Sequence, residues 1–217
     1  FGSSYGGNAL LGKIAHGLRQ ASYDGHASRR FLAEQFMLIS IRDPVAGSTR
    51  YICGGFPSAS GKTNLAMMVP PAGLEGRYDV RFFGDDVIWL YVDEVSGRLM
   101  AFNAEAGVFG VARNSNPMTN PNAIEAISEG SAALFTNVAY NEITHDVWWE
   151  GLTPEPPVDL KGWRDWRGAL IAERHAGEQR SDAAGVEWAH PNSRFTTALS
   201  NVPNISPDVE LARGVPI

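Results

Sequence analysis

Apolar positions along this chain change their period several times, and each change marks the hand-over from one element to the next. Leu10, Leu11, Ile14, Ala15 and Leu18 recur at helical spacing, which predicts a helix over residues 7–22. A polar, basic stretch with Arg29 and Arg30 follows, and then Phe36-Met-Leu-Ile-Ser-Ile41 reads as a buried strand. Residues 43–48 hold Asp, Pro and Gly and read as a turn, so that residues 49–53 pair back as a second strand. Residues 64–68 read as the start of a helix that Pro70-Pro71 ends. A short strand is predicted at 80–83, and the runs at 87–92 and 99–102 bracket a Ser96-Gly97 turn as a hairpin. Asn120 and Pro121 supply a cap and an early proline for a short helix. Residues 133–138 and 145–149 read as further strands. From Thr153 onward Pro, Gly and Trp dominate, periodicity fades, and the last third is expected to be loop-rich. No repeat or clear linker interrupts the pattern, so the reading is one α/β domain with a mixed sheet over residues 1–217.

The junction between the second strand and the helix carries the most informative motif. Phe56-Pro-Ser-Ala-Ser-Gly-Lys-Thr-Asn64 ends in Gly61-Lys62-Thr63, the closing half of a phosphate-binding P-loop. Backbone N–H groups in such a loop cradle phosphate oxygens, the Lys reaches the terminal phosphates, and the Thr hydroxyl coordinates their metal. The opening glycine of the pattern belongs at position 56, where this chain has Phe56, and Gly55 lies one residue early. An ordinary turn would also accommodate Gly-Lys-Thr. The flanks favour the phosphate reading, because a strand precedes the loop and a helix follows it.

Phe83-Gly-Asp-Asp86 closes an apolar strand downstream, where a P-loop site needs a carboxylate to hold a divalent metal opposite the Thr hydroxyl. A solvated acidic turn is the plainer reading of an Asp-Asp pair. In His190-Pro-Asn-Ser-Arg-Phe195, Pro stiffens the turn, Asn offers amide donors, and Arg offers a planar fork for carboxylate or phosphate. Spacing alone leaves open a structural loop with an exposed Arg. Tyr5, Gly6 and Gly7 could present a phenol and bare backbone to an anion, or form a turn, and Lys13 is either a substrate cation or a surface lysine. The histidines at 16, 26, 145, 175 and 190 form no H-x-x-x-H pair; His26 and His175 read as surface residues and His145 as partly buried at a strand start. Trp148, Trp149, Trp163 and Trp166 read as packing for the loop-rich third rather than as a base-stacking platform.

Composition narrows the function classes. The formal charge of -6 and the dispersed Lys and Arg give no footprint for nucleic acid. No apolar run approaches the roughly 18–20 residues that span a bilayer, so no membrane partner is expected. The single cysteine, Cys53, cannot form an internal disulfide and fits a reducing compartment. The chain opens on Phe1 without Met and ends in Gly214-Val-Pro-Ile217, so both ends read as cuts through a longer protein.

Together these segments resemble the GTP-dependent phosphoenolpyruvate carboxykinase family. The similar stretches are Phe1-Gly-Ser-Ser-Tyr-Gly-Gly-Asn-Ala-Leu-Leu-Gly-Lys13, Phe56-Pro-Ser-Ala-Ser-Gly-Lys-Thr-Asn-Leu-Ala-Met-Met68, Gly84-Asp-Asp86, Phe109-Gly-Val-Ala112, Asn120-Pro-Asn-Ala-Ile124, Phe135-Thr-Asn-Val138, Trp148-Trp-Glu-Gly-Leu152 and His190-Pro-Asn-Ser-Arg-Phe195. The resemblance implies that family's P-loop fold as a partial chain, with the loop at a sheet edge facing a cleft. It implies a cytoplasmic enzyme of gluconeogenesis, monomeric when full length, that turns oxaloacetate and GTP into phosphoenolpyruvate, CO₂ and GDP. Tyr5, Gly6, Gly7, Ser58, Asn192, Ser193 and Arg194 would contact substrate, and Ala59, Ser60, Gly61, Lys62, Thr63 and Asn64 would wrap the nucleotide phosphates. Ser60, Lys62, Arg194 and Lys13 would form the catalytic set, with Lys62 neutralising charge and Arg194 bridging substrate and γ-phosphate. Thr63 would ligate the Mg²⁺ of the nucleotide, Asp86 the catalytic Mn²⁺, and Asp85 would support the metal pair. Such a site works by alignment and by positive charge around a spreading negative one.

The departures from the family are concentrated at the metal. Ile14 stands where the family has a Lys ligand, and Gln35 where it has His. Isoleucine cannot bind a metal, and glutamine offers only a neutral carbonyl oxygen. Ser60 replaces a reactive Cys, and Arg113-Asn114 replaces Pro-Gly. His16, one helical turn from Lys13, is a candidate substitute imidazole. A carboxykinase with a rebuilt metal site is the reading taken. The alternatives are a small-molecule kinase that performs no decarboxylation and a non-catalytic nucleotide-binding relative; retention of Lys62, Thr63, Asp85, Asp86 and Arg194 argues against the last.

Overall fold

The computed structural model describes residues 20, 22–24, 31–56, 60–74, 76–173, 187–210 and 213–217. The helix expected over residues 7–22 falls almost wholly outside them, as do His16, His26 and His175. The first described strand, β1 (Phe31–Asp43), is longer than its apolar run. Its first five residues pair with β4 (Val87–Val92), and its last eight pair with β2 (Ser48–Gly55) through the turn at residues 44–47. On the same side as β4, β3 (Asp79–Gly84) pairs with residues 38–42 of β1.

β3 and β4 therefore run end to end along one strand. Leu38 faces Gly84 and Gln35 faces Val87, so Asp85 and Asp86 fall in the break between the two ladders. Released from strand pairing, both carboxylates can turn toward one neighbour. β5 (Leu99–Asn103) forms the expected hairpin with β4, with Gly97 at φ +67°, and β12 (Val215–Pro216) extends the sheet beyond β5. β2 is the opposite edge strand, which puts the P-loop at the sheet edge. Strand pairs among the described residues are antiparallel; the parallel component is a bridge from Phe82 to Ile205.

After β2 the chain enters α1 (Lys62–Ala66), which begins two residues earlier than expected and closes at Met67 before the prolines arrive. Pro70-Pro71 thus follows the helix end instead of causing it. A second sheet has β11 (Arg194–Ala198) between β6 (Gly107–Val111) and β7 (Leu134–Thr136). The last third is therefore not loop alone: Phe195 and Thr197 alternate inward in β11, a period too short to stand out among flanking threonines. Gly110 faces Phe195 across that sheet, and an added Cβ would lie 2.2 Å from the ring. β7 is shorter than predicted because Asn137 turns to φ +60°. α2 (Pro121–Glu125) forms as expected, but the Asn120 side chain does not cap it; its Oδ1 accepts from Thr119 Oγ1 at 2.6 Å.

Three small strands, β8 (Ala139–Asn141), β9 (Val147–Trp148) and β10 (Trp163–Arg164), carry a separate cluster of Trp148, Trp163, Trp188 and Ile171. Packing is the role expected for Trp148 and Trp163, and Trp149 instead enters the main core. Trp166 lies edge-on to His190, with ring centroids 4.6 Å apart. His145 is exposed at φ +66° in the turn before β9, which corrects its expected burial at a strand start. The main core joins Met37, Ile39 and Phe82 of the large sheet to Ala66 of α1 and Met67 at its end and to Val108 and Phe195 of the second sheet.

Candidate functional site

The P-loop is described from Ser60 onward; Ser58 and Ala59 lie outside the described residues, as do Tyr5, Gly6, Gly7, Lys13 and Ile14. Gly61 caps α1 at φ +88°, a conformation that an L side chain would strain. The left-handed turn swings the chain so that Lys62 and Thr63 start the helix facing β3. Ser60, Gly61 and Asn64 are exposed, whereas Lys62 is only 7 % exposed.

Both residues of the strand break meet that first turn. Lys62 Nζ donates to Asp86 Oδ1 at 2.7 Å, and Gln35 Nε2 donates to the same oxygen at 3.0 Å. Thr63 Oγ1 donates to Asp85 Oδ2. Asp85 and Asp86 are buried, at 3 % and 7 % exposure, so the solvated acidic turn is excluded. Burial pushes the Asp85 carboxyl up to about 6; its bond from Thr63 opposes that rise, Asp86 adds to it, and Lys62 opposes it again.

Arg194 opens β11. Its Nε donates to Asn192 Oδ1 at 2.8 Å, and its guanidinium carbon lies 5.3 Å from the Phe109 ring centroid. Burial lowers its pKa, and the Asp86 carboxylate acts in the opposite sense, which puts the two groups within electrostatic reach. Ser193 is fully buried, and its Oγ has no hydrogen-bond partner.

The loop that delivers these residues is fastened from several directions. His190 N donates to Asn137 O at 2.9 Å, and Asn137 Nδ2 donates to Asn192 O at 3.2 Å. Asn192 N donates to His190 Nδ1, and Ala112 N to Ser193 O, both at 2.9 Å. Glu150 Oε1 accepts from Trp188 N at 2.8 Å and Ala189 N at 3.2 Å. Asn137 and Glu150 had no assigned role in the sequence reading. Glu150 left one signal there, a lone charge in the apolar stretch Trp148-Trp-Glu-Gly-Leu152.

The two implied metals fare differently against these donors. Thr63 and Asp85 offer a hydroxyl and a carboxylate side by side, the hard oxygen donors that suit Mg²⁺. The Mn²⁺ set does not fit. Gln35 turns its amide nitrogen, not its carbonyl oxygen, to Asp86, and a lysine ammonium already holds the same carboxylate oxygen. Among the described residues no group of three or more His, Cys, Asp or Glu could hold a metal ion.

A glycine-capped helix start, a buried Lys and Thr paired to two strand-end carboxylates, and an arginine nearby define a P-loop phosphate-binding protein. The family of phosphoenolpyruvate carboxykinase C-terminal P-loop domains matches residues 31–217, and that of the N-terminal domains matches residues 1–26. The chain is 44% identical over 216 residues to "Phosphoenolpyruvate carboxykinase [GTP]" of Anaeromyxobacter sp. (strain K), covering 100% of this chain and 33% of that protein. It is 43% identical over 217 residues to the protein of the same name from Chlamydia muridarum, again covering 100% and 33%. The chain belongs to the phosphoenolpyruvate carboxykinase family, and it spans about a third of the length of the curated relatives it matches.

Proposed function

We propose that the protein carrying this chain is a GTP-dependent phosphoenolpyruvate carboxykinase, of which residues 1–217 form one central unit. Oxaloacetate loses CO₂ by cleavage of a C–C bond, and the electron pair left behind forms the enolate of pyruvate. The enolate oxygen then bonds to the γ-phosphorus of GTP while the bond to the β,γ-bridging oxygen breaks and GDP departs. The supporting observation is the convergence of Lys62 and Thr63 on Asp86 and Asp85, with Arg194 within electrostatic reach.

In this reading the loop from Ala59 to Asn64 wraps the phosphates, and Lys62 supplies charge to them. Arg194, held by Asn192, presents its planar fork between the transferring phosphoryl and the substrate carboxylate. In this reading Ser58, Asn192, Ser193 and the glycine pair after Tyr5 contact the substrate. Thr63 and Asp85 would hold Mg²⁺, which neutralises charge on the phosphates when bound. The reading places the protein in the cytoplasm, in gluconeogenesis, as a monomer without nucleic-acid or membrane partners.

A second reading is favoured by the Gln35 amide on Asp86: phosphoryl transfer from the nucleotide to a small carboxylate-bearing acceptor, without decarboxylation. Incubation of the full-length protein with GTP, Mg²⁺, Mn²⁺ and oxaloacetate separates the two. Phosphoenolpyruvate, CO₂ and GDP in equal amounts are the expected products. GDP formed with a phosphorylated acceptor and no CO₂ moves the assignment to the second reading.

A further inference from the structure

We infer that Asp86 in this chain is the anchor of Lys62 and not the ligand of a resident metal, so that the site holds one exchangeable divalent ion, the one that arrives with the nucleotide. The inference rests on the proposed nucleotide site. A buried carboxylate that stays ionised is stabilised by a metal or by a cation that hydrogen-bonds to it. Here the cation is the Lys62 ammonium, 2.7 Å from Oδ1, with both side chains about nine-tenths buried (8 % and 10 % exposed).

Gln35 completes the arrangement. Its amide N–H donates to the same oxygen at 3.0 Å. Turning the amide over would aim its carbonyl oxygen at an ionised carboxylate, which repels it, so Gln35 serves as donor to Asp86 and not as a ligand beside it. A metal at Oδ1 would sit against a protonated amine that has three donors and no lone pair to offer. At the other family position the sequence has Ile14, whose apolar branch cannot bind a metal, and the candidate substitute His16 lies outside the described residues. Lys62 thus has a carboxylate partner before any phosphate enters. Charge at this end of the site is set by fixed groups, Lys62 and Asp86 with Arg194 in reach.

The test is Mn²⁺ titration of the full-length protein followed by electron paramagnetic resonance of the free ion, with and without GDP. Without nucleotide, the signal of the free Mn²⁺ should stay unchanged by the protein, because Lys62 and Gln35 already hold Asp86 Oδ1. With GDP, one Mn²⁺ per protein should bind. Two variants control for folding: the isosteric Gln35→Glu, and Gln35→His combined with Ile14→Lys. Each should gain nucleotide-independent Mn²⁺ affinity by at least about tenfold, because each adds a ligand beside Asp86. Micromolar binding of one Mn²⁺ to the unaltered protein without GDP, lost in Asp86→Asn, overturns the inference. Failure of GDP itself to bind would instead sink the nucleotide reading on which it rests.

Discussion

Cys53 is the chain's one thiol, half-buried in β2 a few residues ahead of the P-loop. Burial pushes it up from 9.0 to about 11, which cuts its thiolate fraction at neutral pH by about a hundredfold. The position where the family has a reactive cysteine holds Ser60, which thiol reagents do not touch. Iodoacetamide at pH 7.5 should therefore label the protein slowly at Cys53, the rate should climb as pH approaches 11, and GDP affinity should survive labelling. Mass spectrometry paired with a nucleotide titration checks this; rapid labelling that abolishes GDP binding would show a reactive thiol in the site. At this scale the sequence was most readable where chemistry is local. Gly61-Lys62-Thr63 stands out by type and spacing, and Asp85-Asp86 gains its meaning only from that loop upstream. That Thr63 takes Asp85 while Lys62 takes Asp86 was not legible, because the choice depends on how the ladder breaks between β3 and β4. Asn137 and Glu150 act through a positive φ and backbone donors far along the chain, which leave almost no trace in composition.

The pairing of β6 with β11 sets where Arg194 stands, since Arg194 faces Val111 in that ladder and Phe195 faces Gly110. Phe195 is 1 % exposed and cannot swing away from a methyl group placed at Gly110, where the Cβ would lie 2.2 Å from its ring. Gly110→Ala should lose about 1–3 kcal/mol in chemical denaturation, the usual penalty of overpacking. Combining it with Phe195→Leu should recover part of that loss, a coupling that a double-mutant cycle measures; strict additivity would mean that the ring is not the obstacle. The β4–β5 hairpin was legible because its strands and its Gly97 turn agree. The first half of β1 was not: Phe31-Leu-Ala-Glu-Gln35 consists largely of good helix formers, and pairing with β4 overrides that local preference. β11 was missed because five residues with only Phe195 and Thr197 inward give periodicity little to work with.

Across the whole molecule the site sits where the two faces of the large sheet meet. Met37, Ile39 and Phe82 pack on one side with α1 and the second sheet, while Leu38, Phe83 and Ile88 pack on the other. Asp85 and Asp86 emerge between these layers, so the proposed phosphate site is also part of the folded core. Stability and ligand binding are therefore linked through one ion pair. Removing the ammonium in Lys62→Met leaves Asp86 buried without that cation, and the nucleotide-free protein should lose about 3 kcal/mol in denaturant unfolding. Lys62→Met with Asp86→Asn removes both charges and should regain a good part of the loss. Mass action then gives the second half of the prediction: GDP with Mg²⁺ at a hundred times its dissociation constant should stabilise the unaltered protein by about 2.7 kcal/mol. At the same nucleotide concentration that gain should shrink sharply in the double variant, because a repaired core still lacks the lysine that meets the phosphates. Equal stabilisation of both proteins by GDP would place the phosphates away from Lys62, whatever the denaturation data said about the ion pair.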